Sequence, residues 1–275
     1  HGGHAAGFVA YEAAPAFDPA MRVAGGDDFP LVCFGCFRNP PAMVSLPHVN
    51  DYGLQEDFIP ELDSGQYAAQ YAEVLEEIIA GNIYQANLTF RCRTVPELCP
   101  ERLFLNLFAR QPVPCAAYLN LLPGGKILSL SPELYLESSD GRQIVSAPMK
   151  GTAPRALSSG MDRAAARGLA IDPKNMAENL MIADMVRNDL GRIVLPGTVA
   201  VDALFRVETY QTVHQMSSVI RGELPEALPL FELFRATFPP ASITGAPKIA
   251  AMEVLAALER SPRRVYTGAV GCILP

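Results

Sequence analysis

The chain of 275 residues is acidic, with a formal net charge of −7, and 49% of its residues are hydrophobic. This length and composition predict a folded core, in one large domain or two small ones, and exclude intrinsic disorder. The negative charge and the lack of a basic stripe disfavour a nucleic-acid partner. No apolar run is long enough to span a membrane and no signal peptide precedes the first predicted strand, so we expect a cytoplasmic protein without a membrane partner.

The six cysteines are scattered along the chain. Cys33 and Cys36 form the only close pair, and the residues around them predict a strand rather than the helix start that a redox motif needs. No second cysteine pair and no close histidine pair completes a zinc site. We therefore expect ordinary reduced thiols, as in a cytosolic protein.

The first third of the chain predicts two short strands, at residues 6–11 and 31–37, and then a helix. Asp63 is placed to cap that helix, and Gly81 is placed to end it. Residues 84–92 then alternate apolar and polar side chains, which predicts a strand. Its polar face is compatible with plain solvent exposure and with a binding site.

The middle of the chain predicts a short amphipathic helix followed by two hairpins. The helix is expected at residues 103–109, and the strands at 115–121, 126–130, 134–138 and 143–147. A tight Asp140-Gly141 turn joins the last two strands. The second hairpin therefore leads directly into the stretch PMKGTAPR at residues 148–155.

Lys150 is the residue of chemical interest in this stretch. Pro148 and Pro154 stiffen its ends, and Gly151 allows a close backbone approach or an unusual turn. A lysine in a dry site loses part of its preference for the charged form, and its free amine is a nucleophile. The alternative is a solvated loop lysine, which is the commoner situation for an arbitrary lysine.

A capped helix is predicted from Pro173 to about Leu190, with Asp172 as its N-cap. Glu178 lies one turn before Ile182 on nearly the same face, so its carboxylate needs a partner near the apolar stripe. A divalent metal ion is one candidate, and a salt bridge to an arginine is the other.

The last third predicts strands at residues 199–202 and 212–222, a helix at 229–237, and another helix beginning at about Pro247. His214 lies within the second strand, where a lone histidine is more often a satisfied core residue than a catalyst. Small and hydroxyl residues at 238–248 precede the last helix. Free N–H groups at such a helix start suit a carboxylate or a phosphate, although the spacing is not that of a Walker loop.

Together these stretches resemble one family, the chorismate-utilising enzymes, and within it the large component of aminodeoxychorismate synthase. The matching stretches occur in the family's order: GNIYQANLTFR (81–91), SPE (131–133), PMKGTAPR (148–155), AENLMIAD (177–184), RNDLGR (187–192), TVH (212–214), SITGAPK (242–248) and YTGAVG (266–271). The resemblance implies an α+β fold, the αββα sandwich of the anthranilate synthase component I type, here incomplete. Periodicity alone indicates only a mixed α and β chain with hairpins.

The resemblance also implies a reaction. The Lys150 amine would attack C2 of chorismate while the C4 hydroxyl leaves, and ammonia would then add at C4, giving 4-amino-4-deoxychorismate on the way to p-aminobenzoate and folate. Anthranilate synthases carry a small residue at the position of Lys150, so this lysine points to the aminodeoxychorismate subfamily. Anthranilate synthase, another chorismate-utilising enzyme such as isochorismate synthase, and a non-catalytic remnant are the alternatives.

The remaining site residues are implied by the resemblance in the same way. Mg²⁺ would be held by Glu178, although Asn175 stands where many relatives have a second acid. His214 would line the pocket as a second catalytic residue. The substrate would be bound by Thr152, Thr244, Gly245, Tyr266 and Gly268. The implied partners are a glutamine amidotransferase subunit that supplies ammonia and a fused or separate aminodeoxychorismate lyase.

The ends of the chain lead to an expectation about domains. The chain opens at His1 without a methionine and ends at Pro275 directly after a strand-like run, so we expect a fragment of a longer protein. Residues 1–62 would be the remnant of an N-terminal portion, and residues 63–275 a chorismate-binding catalytic domain without its last segment. That segment would carry further metal-binding glutamates and an arginine, so we expect the fragment by itself to be inactive.

Overall fold

The computed structural model describes residues 3–47, 57–95 and 98–275, which contain both helices and strands. The helices are α1 (Ala14–Phe17), α2 (Ser64–Ile79), α3 (Pro100–Arg110), α4 (Ser159–Ala170), α5 (Pro173–Gly191), α6 (Leu230–Thr237) and α7 (Lys248–Leu258). The strands are β1 (His4–Val9), β2 (Val32–Phe37), β3 (Ile59–Pro60), β4 (Gln85–Ala86), β5 (Cys92–Arg93), β6 (Cys115–Leu122), β7 (Gly125–Ser131), β8 (Leu134–Glu137), β9 (Gln143–Ala147), β10 (Met149–Pro154), β11 (Ala200–Thr209), β12 (Val213–Glu223), β13 (Gly245–Ala246) and β14 (Ala269–Ile273). None of the helices within the described ranges is long and apolar enough to cross a membrane.

The chain divides into two compact units that alternate along the sequence. The first unit comprises residues 1–110, 116–130 and 247–275, and the second comprises residues 111–115 and 131–246. β1 pairs with β14 from the other end of the chain, so the first unit combines residues from both ends. The expected division into residues 1–62 and 63–275 stays a prediction.

A five-stranded antiparallel sheet forms the second unit, with β12 at its centre. On one side β12 pairs with β11, and on the other it pairs with both β9 and β10. β9 and β10 therefore lie end to end along the same edge of β12, separated only by Pro148. The Ser218 N–H donates to the Pro148 carbonyl at 3.1 Å, which continues the ladder across the break. β8 pairs with β9, as the Asp140-Gly141 turn predicts.

Helix α5 packs against this sheet through an apolar face. Its residues Ile182, Val186 and Leu190 are buried together with Ile144 of β9 and Ile220 of β12. The Asp172 side chain accepts a bond from the Asn175 N–H, which confirms the predicted N-cap. Because this apolar face packs on the sheet, polar residues of α5 on the same face also point toward the sheet.

A three-stranded antiparallel sheet in the order β14-β1-β2 belongs to the first unit. Asp63 and Gln66 form a capping box at the start of α2, so the predicted helix start is confirmed. Among the apolar residues of α2, Val74 is buried, whereas Ile79 is 77% exposed. Val74 packs with Ile83 and with Ala251 of α7.

One prediction of local structure is wrong, and one helix was not predicted. Residues 84–92 do not form one strand, because only Gln85–Ala86 and Cys92–Arg93 pair with neighbours. The polar segment after the lysine stretch contains a helix, α4, which Ser158 caps by accepting a bond from the Met161 N–H at 3.3 Å.

Candidate active site

Lys150 lies in a β-bulge of the second unit. Met149 is opposite Ser217 and Thr152 is opposite Gln215, so the β10 side of the ladder contains one residue more than the β12 side. Gly151 lies within the bulge at φ +103°, a conformation that side chains rarely adopt. Bulges of this kind bend the strand and redirect a side chain, and they are common beside active sites.

The close packing of α5 against the bulge also favours glycine at position 151. A Cβ atom at this position would lie 3.1 Å from the Asn175 side chain. That is closer than ordinary van der Waals contact, so a larger residue would push the bulge and the helix apart. The close approach that the sequence predicts at Gly151 is therefore confirmed.

Buried Asn179 fixes the backbone of the bulge. Its side-chain amide donates to the Lys150 carbonyl and to the Met216 carbonyl, each at 3.2 Å. Its oxygen accepts a bond from the Ser218 hydroxyl. Since Asn179 is 2% exposed, these bonds are shielded from water, and they set the position from which the Lys150 side chain starts.

The environment of Lys150 disfavours its charged form. Burial lowers the pKa of Lys150, and the negative charges of Glu133 and Glu178 oppose this shift without cancelling it. A lower pKa increases the fraction of free amine near neutral pH, which is the nucleophilic form.

Glu133 is a candidate site residue that sequence reasoning did not single out. Burial raises its pKa to about 6, against the bonds from Ser242 and Met149 and the charge of Lys150. The Ser242 hydroxyl donates to its carboxylate, and the Met149 N–H donates to the same oxygen at 3.4 Å. The predicted hairpin could have indicated this residue. Antiparallel pairing of Leu134 with Ala147 brings Glu133 beside the start of β10.

Glu178 is the predicted metal ligand, and its carboxylate lies close enough to Lys150 for its charge to act on the amine. The carboxylate also lies 3.7 Å from Lys174 in a pair that is largely exposed. Asn175 does not act as a second acid there, because its amide donates to Asp172 at 2.8 Å. Within the described residues no group of three or more His, Cys, Asp or Glu side chains forms a metal cage. One carboxylate fits Mg²⁺ only if substrate and water supply the remaining ligands, which is a common arrangement for this ion.

His214 is buried on β12 and hydrogen-bonded at both ring nitrogens. Its Nε2 lies 3.0 Å from Asp162 of α4, and its Nδ1 lies 3.0 Å from the Thr209 hydroxyl. The bond from Arg155 holds the pKa of Asp162 far below its usual range, so that carboxylate is ionised. This geometry joins His214 to the charged pair at the end of β10.

The other predicted binding residues fall in different parts of the chain. Thr152 donates to Gln215 at 3.0 Å on the exposed side of the second unit. Thr244 is completely buried, with its hydroxyl 3.3 Å from the carbonyls of Pro240 and Ala241, and Gly245 follows it. Tyr266 belongs to the first unit and is 62% exposed.

Gly268, also in the first unit, lies too close to the backbone of β1 for a side chain to fit. A Cβ atom there would lie 2.2 Å from the Val9 carbonyl oxygen, so no other residue fits without displacing β1. Within the second unit, the predicted residues Lys150 and Glu178 and the additional residue Glu133 lie close together, since the charges of both glutamates act on Lys150.

An open cavity of about 320 Å³ borders Glu133 and Ser242 in the second unit. Its wall also contains Asp189 of α5, Ser146 of β9, and the hydrogen-bonded pair of Tyr135 and Thr237. Much of this volume is open to solvent, and the space inside it that a water molecule can occupy is only about 20 Å³, so the cavity by itself does not identify a substrate pocket.

A sequence profile of the chorismate binding enzyme family matches residues 45–275. The chain belongs to the chorismate binding enzyme family. It is 40% identical over 221 residues to aminodeoxychorismate synthase component 1 of Escherichia coli strain K12, a match that covers 80% of this chain and 48% of that protein. It is 38% identical over 237 residues to anthranilate synthase component 1 of Streptomyces coelicolor, covering 86% of this chain and 46% of that protein. The chain thus spans about half the length of these two curated relatives.

The chain also matches solved structures, and these show its fold. The crystal structure of anthranilate synthase component I from Streptococcus pneumoniae TIGR4 superposes with a TM-score of 0.83 at 24% identity. The match covers 99% of this chain and 69% of that chain. The α+β fold of the anthranilate synthase component I type, expected from the sequence, is therefore confirmed.

Proposed function

We propose that the full-length gene product is an aminodeoxychorismate synthase, which aminates chorismate at C4. The observation that carries this proposal is the position of Lys150 in the β10 bulge, where burial lowers its pKa and the charge of Glu133 acts on its amine. The pKa of the amine is lowered and that of the acid is raised to about 6, so burial narrows the gap between the two values. The lower pKa of the amine increases the fraction of free base, and the higher pKa of the acid increases the fraction that can donate a proton. A nucleophilic displacement with a protonated leaving group uses these two forms.

In the first half of the reaction the Lys150 Nζ lone pair forms a bond to C2 of chorismate. The ring double bonds shift from C1–C2 and C5–C6 to C1–C6 and C4–C5, and the C4–O bond breaks. Glu133 would donate the proton with which the hydroxyl leaves as water. The bulge around Gly151 and the bonds of Asn179 keep the amine in one position during this step.

In the second half, ammonia forms a bond to C4 and the double bonds return to their original places. The bond between C2 and Nζ breaks, and Lys150 recovers its lone pair. The net reaction consumes chorismate and ammonia and gives 4-amino-4-deoxychorismate and water. Two allylic displacements replace one substitution that would need ammonia to reach a poor leaving group directly.

Glu178 would hold Mg²⁺ together with a carboxylate of the substrate. When bound, the ion supplies positive charge that neutralises this carboxylate. Thr152, Thr244, Gly245, Tyr266 and Gly268 remain the proposed substrate-binding residues. His214 remains the proposed second catalytic residue, and its Nε2 lies 3.0 Å from Asp162, which itself pairs with Arg155 at the end of β10.

Two partners follow from this function. A glutamine amidotransferase subunit would supply ammonia, as the designation component 1 of the Escherichia coli relative suggests. An aminodeoxychorismate lyase, fused or separate, would consume the product. The protein would act in the cytoplasm.

A second candidate function is that of anthranilate synthase, which the relative from Streptomyces coelicolor supports. Both enzymes would use chorismate and ammonia, so the product distinguishes them. Anthranilate has lost pyruvate, whereas 4-amino-4-deoxychorismate retains it.

The test incubates the full-length gene product with chorismate, ammonium and Mg²⁺, and identifies the product by chromatography and mass spectrometry. We expect 4-amino-4-deoxychorismate, and we expect Lys150→Ala to lower its rate of formation by about 1,000-fold. Lys126→Ala changes an exposed lysine of the first unit and should leave the rate unchanged. Anthranilate as the product, or a normal rate for Lys150→Ala, would contradict the proposal.

A further inference from the structure

The segment of residues 263–268 in the first unit has an unusual backbone. Arg264 has φ +58° and Thr267 has φ +60°. Neither residue is glycine, and Thr267 is β-branched, so this conformation costs free energy at both positions. Such a conformation persists only where surrounding contacts impose it. Tyr266 lies between the two residues, so the same contacts determine the direction of its side chain.

Glu12 provides contacts of this kind from the turn that follows β1. One oxygen of its carboxylate accepts the Arg263 N–H at 2.6 Å, and the other accepts the Arg264 N–H at 2.8 Å. The Tyr11 N–H donates in turn to the Arg264 carbonyl at 2.7 Å. Three successive backbone groups of the segment are thus bound to two successive residues of the N-terminal turn.

Glu259, at the end of α7, provides a second set of contacts through Arg263. The Arg263 guanidinium bonds both oxygens of Glu259, and the two side chains are nearly completely buried. The same guanidinium donates to the Thr267 hydroxyl at 3.3 Å. The Thr267 hydroxyl donates to the Tyr266 carbonyl at 2.6 Å, so the chain of bonds reaches from Glu259 to Tyr266.

We infer that Glu12 and Glu259 are positioning residues that hold the segment carrying Tyr266 in the conformation that binds chorismate. The inference rests on the proposed function, because that function makes Tyr266 a substrate-binding residue. It adds the N-terminal turn to the parts of the protein that determine chorismate affinity. Glu12 acts on the substrate only through residues 263–268.

The test measures the Kd for chorismate by titration calorimetry in the presence of Mg²⁺, with the full-length gene product. In Glu12→Gln one acceptor oxygen becomes an NH₂ group that faces a backbone N–H. We expect the Kd to rise by about tenfold. The turnover number at saturating chorismate should stay within about twofold, because Lys150 and Glu133 are unchanged. Asp27→Asn is the matched control, since Asp27 contacts the Arg264 side chain but not its backbone.

Thr267→Gly separates positioning from a purely structural role. Glycine accepts φ +60° without cost, so the melting temperature should stay the same or rise. The Kd for chorismate should nevertheless increase by several fold, because the contact to Arg263 is lost and the segment is freer. A Kd within twofold of the unsubstituted protein in both Glu12→Gln and Thr267→Gly would overturn the inference.

The binding measurement also separates this inference from the proposed function. If the unsubstituted protein binds chorismate but forms no 4-amino-4-deoxychorismate, the proposed function fails and the Kd values of the variants still decide the inference. If the unsubstituted protein does not bind chorismate, the inference fails as well. A Kd that rises in both variants while Asp27→Asn binds normally supports it.

Discussion

Each of the two units buries a basic side chain, but the pKa values of these two side chains shift in opposite directions. In the first unit, burial by itself would lower the pKa of Arg263, yet the bonds and the charge of Glu259 outweigh burial and the pKa is raised. Arg263 also donates to the Asn87 carbonyl at 2.8 Å and lies over the Tyr11 ring. In the second unit, the charges of Glu133 and Glu178 do not outweigh burial, and the pKa of Lys150 is lowered.

Burial therefore has different consequences in the two units. Arg263 and Glu259 form a structural ion pair, whereas Lys150 and Glu133 have shifted pKa values that suit a reactive site. A guanidinium bound at several of its N–H groups keeps its charge and fixes the elements around it. Where burial outweighs the neighbouring charges and bonds, an amine and an acid move toward their neutral forms, and these forms can exchange protons with a substrate. The comparison predicts how substitutions in each unit change the free energy of unfolding.

Arg263→Met should give the largest effect. It leaves the Glu259 carboxylate buried without its partner, which costs about 3–5 kcal/mol of the free energy of unfolding. Arg264→Met is the matched control, because Arg264 is exposed and its ion pair with Asp27 contributes at most about 1 kcal/mol. Urea titration measures both. A loss for Arg263→Met no greater than for Arg264→Met would show that the buried pair is not structural.

Glu133→Gln should give a smaller effect that depends on pH. The folded-state pKa of about 6 lies above the ordinary value of 4.5, so the folded protein binds this proton more tightly than the unfolded chain. The stability that the proton contributes is complete below pH 4.5 and is lost as the pH rises through 6. The glutamine amide resembles the protonated acid, so the variant should be more stable than the unsubstituted protein by about 2 kcal/mol at about pH 8, and equally stable at about pH 4.

Unfolding curves at the two pH values check this prediction. Glu137→Gln is the control, because Glu137 lies exposed on the same hairpin. We expect its effect on stability to be the same at both pH values. A gain for Glu133→Gln that does not change with pH would mean that Glu133 is not the buried acid described above.

Glu178→Gln should have the smallest effect on stability. Its pair with Lys174 is long and largely exposed, so the free energy of unfolding should change by less than about 1 kcal/mol. Amination of chorismate should nevertheless fall by about 100-fold or more, because the proposed metal ligand is lost. Lys174→Met breaks the same pair and should retain the activity. If the melting temperature of Glu178→Gln drops by several degrees and the activity persists, Glu178 is a structural residue instead.

Local signals in the sequence predicted the elements that carry the site. Asp172 followed by Pro173 identified the start of α5, and the Asp140-Gly141 turn identified the hairpin that leads to Lys150. The polar residues between the two prolines of the lysine stretch did not reveal a bulge. A bulge depends on the register against β12, and that strand lies more than 60 residues later in the chain.

Contacts between distant residues explain what the sequence left out. Glu12 and Arg263 are 251 residues apart, and no periodicity relates them. The alternation at residues 84–92 predicted a strand, but pairing requires a partner edge, and only its two ends have one. The role of Glu133 depends on its burial, which follows from packing around Ser242 and Met149 and not from the SPE stretch itself.

The central claim is that Lys150 forms a covalent bond to the substrate. Intact-protein mass spectrometry tests it most directly, with the full-length gene product quenched during incubation with chorismate and Mg²⁺ in the absence of ammonia. We expect a mass increase equal to chorismate minus water, mapped to the peptide that contains Lys150 and absent from Lys150→Ala. Lys126→Ala should still form the adduct. If no adduct forms, or if Lys150→Ala forms it equally well, Lys150 is not the nucleophile.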